Sequence, residues 1–99
     1  MKEYYKASLT WIPYDQGGRK KIPLQGTRYC PQIRMDDSDD SELWSVDFLC
    51  MEEAEQMNIV FSFLSEKAPH HALKENERYP LYEGRKKVAM VKILGAEKD

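Results

Sequence analysis

Residues 43–50 read LWSVDFLC, and the reading of the fold starts from that octet. Trp44, Val46, Phe48 and Cys50 fall on one side of a two-residue period, with Ser45 and Asp47 on the other. Successive side chains of an extended chain point to opposite faces, so this alternation predicts a strand with one face in a core and the other in water. The same period recurs on both sides of the octet. In residues 28–35, RYCPQIRM, the set Tyr29, Pro31, Ile33 and Met35 alternates with Arg28, Cys30, Gln32 and Arg34. Pro31 has no N–H for a ladder and marks an edge, a bulge or a strand start.

Further strands follow by the same rule. Residues 57–65, MNIVFSFLS, put Ile59, Phe61 and Phe63 on one face. Residues 6–12, KASLTWI, place Ala7, Leu9 and Trp11 together, and residues 78–84, RYPLYEG, read as a short strand ending at Gly84. Residues 87–94, KVAMVKIL, are apolar on both faces, as a central or covered strand is. Gly17-Gly18, residues 36–41 and Glu83-Gly84 are turn material, and Asn76 suits a bend that needs positive φ. Residues 50–57, CMEEAEQM, have helix-favouring composition but are too short to stand alone. About six strands punctuated by turns predict one all-β domain, a closed six-stranded antiparallel Greek-key barrel with its core at about residues 5–95.

Composition narrows the function classes. The 99 residues suit a single domain able to bury a core without disulfides or metal. A net charge of −2, with 32% charged residues, argues against a general nucleic-acid or membrane binder. Cys30 and Cys50 are the only cysteines and form no C-x-x-C pair, so they supply no zinc cage unaided. Residues 1–5 are polar and charged, unlike a secretory leader, and no apolar run reaches the roughly 20 residues of a membrane span. A reduced, cytoplasmic protein is the expectation.

Two stretches invite a phosphate reading: DQGGRKKIPL, residues 15–24, and its near copy EGRKKVAM, residues 83–90. The chain has no G-x-x-x-x-G-K-[ST], and Gly17-Gly18 is followed by no Ser or Thr and no helix N-terminus. The glycines therefore read as a hairpin turn, and no GTP site is expected in this chain. Arg19, Lys20, Lys21, Arg85, Lys86 and Lys87 would then sit at two hairpin tips, either as solvated charge or, if the tips meet, as one basic surface for phosphates. DDSDDSE, residues 36–42, carries five acids without the glycine and spacing of a calcium loop and reads as a solvated loop. His70 and His71 read as an exposed loop with no convergent metal ligands. Cys50 reads as a small core residue, Cys30 as core or surface, and neither has an assignable base. Of the six tyrosines, Tyr14 and Tyr82 are the strongest candidates for a contact surface beside the basic tips.

The punctuation as a whole resembles the third, C-terminal β-barrel domain of elongation factor Tu. That family opens with a strand, an acidic turn with Gly-Gly-Arg, a Pro, and a Gly-Tyr-Arg-Pro-Gln-Phe segment. Here YDQGGRKKIPLQGTRYCPQI places Gly17, Gly18, Arg19, Pro23, Gly26, Pro31 and Gln32 in that order. The family's closing segment is matched by APHHALKENERYPLYEGRKKVAMVKILG through Pro69, Arg78, Tyr79, Glu83, Gly84 and Val88. The likeness runs from about residue 5 to residue 95. It implies a barrel that works by contact, since in the family this domain docks the GTPase domain, the exchange factor and tRNA. Two places where the family meets the tRNA T stem differ here: Tyr29 and Cys30 separate Arg28 from Pro31, and Arg85 replaces the second glycine of Glu-Gly-Gly-Arg.

The expectation is a non-enzymatic, cytoplasmic binding module, without cofactor or metal, that docks a protein partner. RNA is the alternative partner, DNA and membrane are not expected, and a hydrolase using His70 or His71 ranks last. The contact residues expected are Arg19, Lys20, Lys21, Arg28, Tyr82, Glu83, Arg85, Lys86 and Lys87.

Overall fold

A computed structural model describes residues 3–35, 42–69 and 72–97. Its strands are β1 (Tyr4–Trp11), β2 (Arg28–Tyr29), β3 (Gln32–Arg34), β4 (Leu43–Leu49), β5 (Gln56–Phe63), β6 (Arg78–Glu83) and β7 (Lys86–Glu97). All pair antiparallel, in the order β2-β4-β3-β6-β7-β1-β5, and a further β4–β5 pairing closes the ring. The result is a closed six-stranded barrel, with β2 as an extra short strand. Strands β3, β4 and β5 pair in turn, and β6 returns to lie beside β3, which is the Greek-key order.

Strands β2 and β3 are one line of chain interrupted at Pro31. Tyr29 faces Phe48 and Gln32 faces Ser45, so the register against β4 is the same on both sides of the break. Pro31 has no N–H to give, but its carbonyl accepts from Val46 N at 2.9 Å and keeps the ladder in step.

Most of the core follows the alternation, but Trp44 is only half-buried against it, and Ser62 is buried although it alternates with Phe61 and Phe63. Tyr5, Ala7, Leu9 and Trp11 of β1 are buried, as are Val46, Phe48 and Cys50. Met57, Ile59, Phe61 and Phe63 point inward from β5, and Leu81, Val91 and Ile93 complete the barrel from β6 and β7. Small residues make room for large ones: Ala89 stands opposite Trp11 across the β1–β7 ladder. Strand β7 pairs on both sides, with β6 and β1, as its apolar run implies, although Leu94 on its outer face is exposed. In the β6–β7 ladder a register shift between Leu81 and Tyr82 leaves Val88 as an extra residue that is buried beside Ala89, and the β1–β7 ladder shifts between Lys6 and Ala7.

The bends use the residues expected of them. Glu83 pairs with Lys86 across a two-residue turn in which Gly84 has φ 63 and Arg85 does not, the glycine-first pattern of a type II′ hairpin. Asn76 has φ 70. The Tyr79 hydroxyl ties the chain before β6 to the barrel, donating to the Ala72 carbonyl at 3.2 Å and accepting from Lys74 N at 3.0 Å. The acidic run at residues 36–41, and His70 and His71, lie outside the described residues.

Candidate functional site: a clasp between the β1–β2 connection and the β6–β7 turn

The Gly17-Gly18 stretch is not a hairpin. Strand β1 pairs with β5 and β7, never with β2, so residues 12–27 connect strands that are not neighbours. The expectation of two hairpin tips is corrected here: only β6–β7 makes one. Alternation within a strand carries no information about which distant strand it joins, and that choice decides what the glycines do.

After β1 the chain is anchored by Ile12 N donating to the Val88 carbonyl at 2.9 Å. A single 3-10 turn, Tyr14–Gln16, follows and ends at Gly17, whose φ is 96. Gly18 then packs so closely on the Ile12 carbonyl that a β-carbon there would stand 1.7 Å from its oxygen. Only glycine allows this approach. The chain doubles back, and Arg19 is delivered toward the β6–β7 turn.

Arg19 makes three contacts there. Its Nε donates to the Lys21 carbonyl at 3.0 Å, which curls the loop around the guanidinium. One terminal nitrogen donates to both oxygens of Glu83 at 3.1 Å. The guanidinium carbon lies 5.0 Å from the centre of the Tyr29 ring, within cation–π range. The Tyr29 hydroxyl closes the triangle by donating to Glu83 Oε2 at 2.9 Å. Beneath it the Tyr29 ring packs on Trp11 and on Phe48, at 5.6 Å in each case. Burial pushes the Tyr29 phenol up to about 12; the nearby Arg19 opposes that rise, and the hydrogen bond to Glu83 adds to it. The phenol therefore stays protonated and remains a donor.

This clasp gathers Arg19, Lys20, Lys21, Glu83 and Lys86 around a concavity of about 490 Å³. Four cations face one carboxylate, and that carboxylate already holds Arg19 and Tyr29. Lys20, Lys21 and Lys86 are exposed, so their charge is presented outward. The site is suited to accept anionic groups, such as carboxylates or phosphates, at positions fixed by the clasp.

The other expected contact residues lie elsewhere. Arg28 is bound by two nitrogens to Asp47, with Nε at 2.7 Å, and does not line the concavity. Tyr82 is half-buried beneath the Arg34 guanidinium, whose carbon is 4.9 Å from the ring centre. Arg85 occupies the exposed β6–β7 turn, and Lys87 stands opposite Tyr82 in the ladder; neither lines the concavity. Tyr14 is exposed on the 3-10 turn.

Among the described residues, nothing in the surroundings of the thiols prepares a nucleophile. Cys50 is buried, and burial raises its pKa, while Cys30 is exposed. Among the described residues no three of His, Cys, Asp and Glu gather as a metal site requires. No helix among them is long and apolar enough to cross a membrane.

Two surfaces were not legible from sequence. Leu49, Met51, Val60 and Leu94 line an apolar depression of about 360 Å³ on the outside of the barrel. A larger cleft of about 720 Å³ runs over the outer face of β5, β1, β7 and β6, where Ser8, Thr10, Gln56, Asn58, Arg78 and Lys92 meet. The six cleft residues sit at outward positions of their strands, but only the register between strands brings them together. No protein-family model matches this sequence, and no curated protein matches it either.

Proposed function

We propose that this chain is a non-enzymatic docking module that binds a protein partner through an acidic segment seated at the concavity beside the clasp. The observation that carries the reading is the Arg19–Glu83–Tyr29 triangle. A connection of residues 12–27 would ordinarily be a mobile surface loop. Here it is fixed to a strand and to a turn, so Lys20, Lys21 and Lys86 form a preorganised cationic surface. Preorganisation reduces the ordering cost of binding and is of use in a contact surface. Glu83 within the set favours a partner of mixed polar character over a uniform polyanion, which it would repel.

The sequence likeness to the third barrel of elongation factor Tu supports the same reading, and the closed antiparallel barrel is the fold that this likeness implies. We accordingly propose a barrel of that kind, working by contact and without a cofactor. The exposed free thiol of Cys30 suits a reducing compartment, the cytoplasm. RNA is the second reading, favoured by the exposed Tyr14 ring and by lysines free to meet phosphates.

The experiment is a pull-down from native cytosol with and without nuclease, using the wild-type chain and the K20E/K21E/K86E variant. A protein retained in both nuclease conditions and lost with the variant is the expected result. Capture that vanishes with nuclease, together with filter binding of RNA that falls steeply with salt, would replace the protein reading with the RNA one. Equal capture by wild type and variant would remove the concavity from consideration.

A further inference from the structure

The outer cleft carries an inference independent of the clasp. Cross-strand registers place Asn58 opposite Ser8, Ser8 opposite Lys92 and Lys92 opposite Arg78. One outward row thus runs amide, hydroxyl, ammonium and guanidinium across four strands, spanning about 14 Å at ordinary strand spacing. A second row, Gln56, Thr10, Met90 and Pro80, lies beside it. Pro13 and, from the 3-10 turn that follows it, Gln16 supply a wall, which turns a sheet face into a cleft of about 720 Å³. That size falls within the usual range of small-molecule sites.

The Lys92–Arg78 pair is the unusual element. Like charges directly opposite one another destabilise a ladder. Neither residue has an ion-pair partner among the described residues, and Lys92 is half-buried. Two cations on facing β-carbons about 5 Å apart can converge on one dianionic group, and a guanidinium beside an ammonium suits a phosphate monoester. Next to them Ser8, Thr10, Gln56 and Asn58 each both donate and accept hydrogen bonds. Gln56 Nε2 and Ser8 Oγ are 3.4 Å apart, so the two groups already face one another. Such groups match the hydroxyls of a sugar, and Met90 offers an apolar surface for the face of its ring.

We infer that this cleft is a binding site for a phosphorylated sugar, with the phosphate at Lys92 and Arg78 and the sugar hydroxyls at Ser8, Thr10, Gln56 and Asn58. The test is a two-dimensional amide NMR titration of the full chain with ribose 5-phosphate, ribose and inorganic phosphate as separate probes. Ribose 5-phosphate is expected to shift the amides of Ser8, Asn58, Arg78 and Lys92 saturably. Ribose and inorganic phosphate should each bind at least about 10-fold more weakly, since each keeps one half of the contacts. Lys92→Gln and Arg78→Gln should each weaken ribose 5-phosphate by about 10-fold. Asn58→Ala should weaken ribose 5-phosphate and leave inorganic phosphate unchanged. All three substitutions are at outward positions, and an unaltered spectrum away from the cleft checks that the barrel is intact. The inference is overturned by no saturable shift up to about 20 mM, by equal binding of inorganic phosphate, by shifts confined to Lys20, Lys21 and Lys86, or by affinity that survives Lys92→Gln.

Discussion

Gly18→Ala tests the architecture of the candidate site more directly than any charge substitution. The added methyl would lie 1.7 Å from the Ile12 oxygen and 2.6 Å from its carbonyl carbon. An ordinary contact is about 3.5 Å, so the two chain segments must part by nearly 2 Å. Neither can give freely. Ile12 N is bonded to the Val88 carbonyl at 2.9 Å, Gly18 N to the Pro13 carbonyl at 3.0 Å, and Trp11, next in the chain, is core. Overpacking costs about 1–3 kcal/mol, and loss of one of these hydrogen bonds adds about 1 kcal/mol. A destabilisation of about 3 kcal/mol is expected, which for a domain of this size lowers Tm by about 12–24 °C. Gly17→Ala is the control, because open space surrounds Gly17 and only its φ of 96 is unfavourable. That substitution should cost about 1–2 kcal/mol. Urea and thermal unfolding followed by circular dichroism measure both. Gly18→Ala within about 0.5 kcal/mol of wild type, or milder than Gly17→Ala, would refute the close approach and with it the account of how Arg19 is positioned.

Three further outcomes follow from the same contacts. Tyr29 is neutral in the folded protein with its pKa pushed from the ordinary 10.0 up to about 12, so its contribution is complete below pH 10 and lost as pH rises to 12. The stability difference between wild type and Tyr29→Phe should therefore be flat to about pH 10 and shrink above it, as read by urea unfolding over a pH series. Arg19→Ala removes a partly exposed ion pair and a cation–π contact and should cost about 1 kcal/mol, and Arg28→Ala, whose pair with Asp47 is exposed, should cost less in the same assay. Tyr79→Phe deletes the hydroxyl that bridges Ala72 and Lys74 and should cost about 1–2 kcal/mol, with faster amide exchange at Lys74 as the local sign.

The barrel was legible because its strands bury one face. Trp44, Val46 and Phe48 alternate with polar neighbours, and the same period marks β1 and β5, so strand identity and inward residues can be read locally. Pro31 could be recognised as an interruption but not placed between two pieces in one register, since that depends on Val46 across the ladder. Gly17-Gly18 misled for a related reason. A glycine pair flanked by apolar runs has the chemistry of a hairpin, and only the pairing of β1 with β5 and β7 shows that the flanking strands are not partners. The cationic concavity was half-legible: Arg19, Lys20, Lys21, Glu83 and Lys86 meet, while Arg28 is taken by Asp47, which lies 19 residues away in sequence. The outer cleft left no local signal at all. Ser8, Asn58, Lys92 and Arg78 are ordinary outward residues until the registers align them.

Residues 12–27 serve both surfaces, and this links them physically. Pro13 and Gln16 wall the outer cleft, Arg19, Lys20 and Lys21 line the concavity, and the glycine pair separates the two sets. The Ile12 carbonyl, against which Gly18 rests, is therefore the common reference point for both. An opening of this connection that released Arg19 from Glu83 would also move the wall of the cleft, so occupancy of either surface should resist the opening and favour the other. Coupling of this kind requires each ligand to prefer the closed connection, and its size is bounded by the stability of the clasp, about 1–2 kcal/mol from one partly exposed ion pair, one cation–π contact and one phenol hydrogen bond. That bound corresponds to a mutual effect on affinity of about 5- to 30-fold at most. Arg19→Ala should abolish the coupling while leaving Lys92 and Arg78 in place, which separates a shared wall from two independent sites.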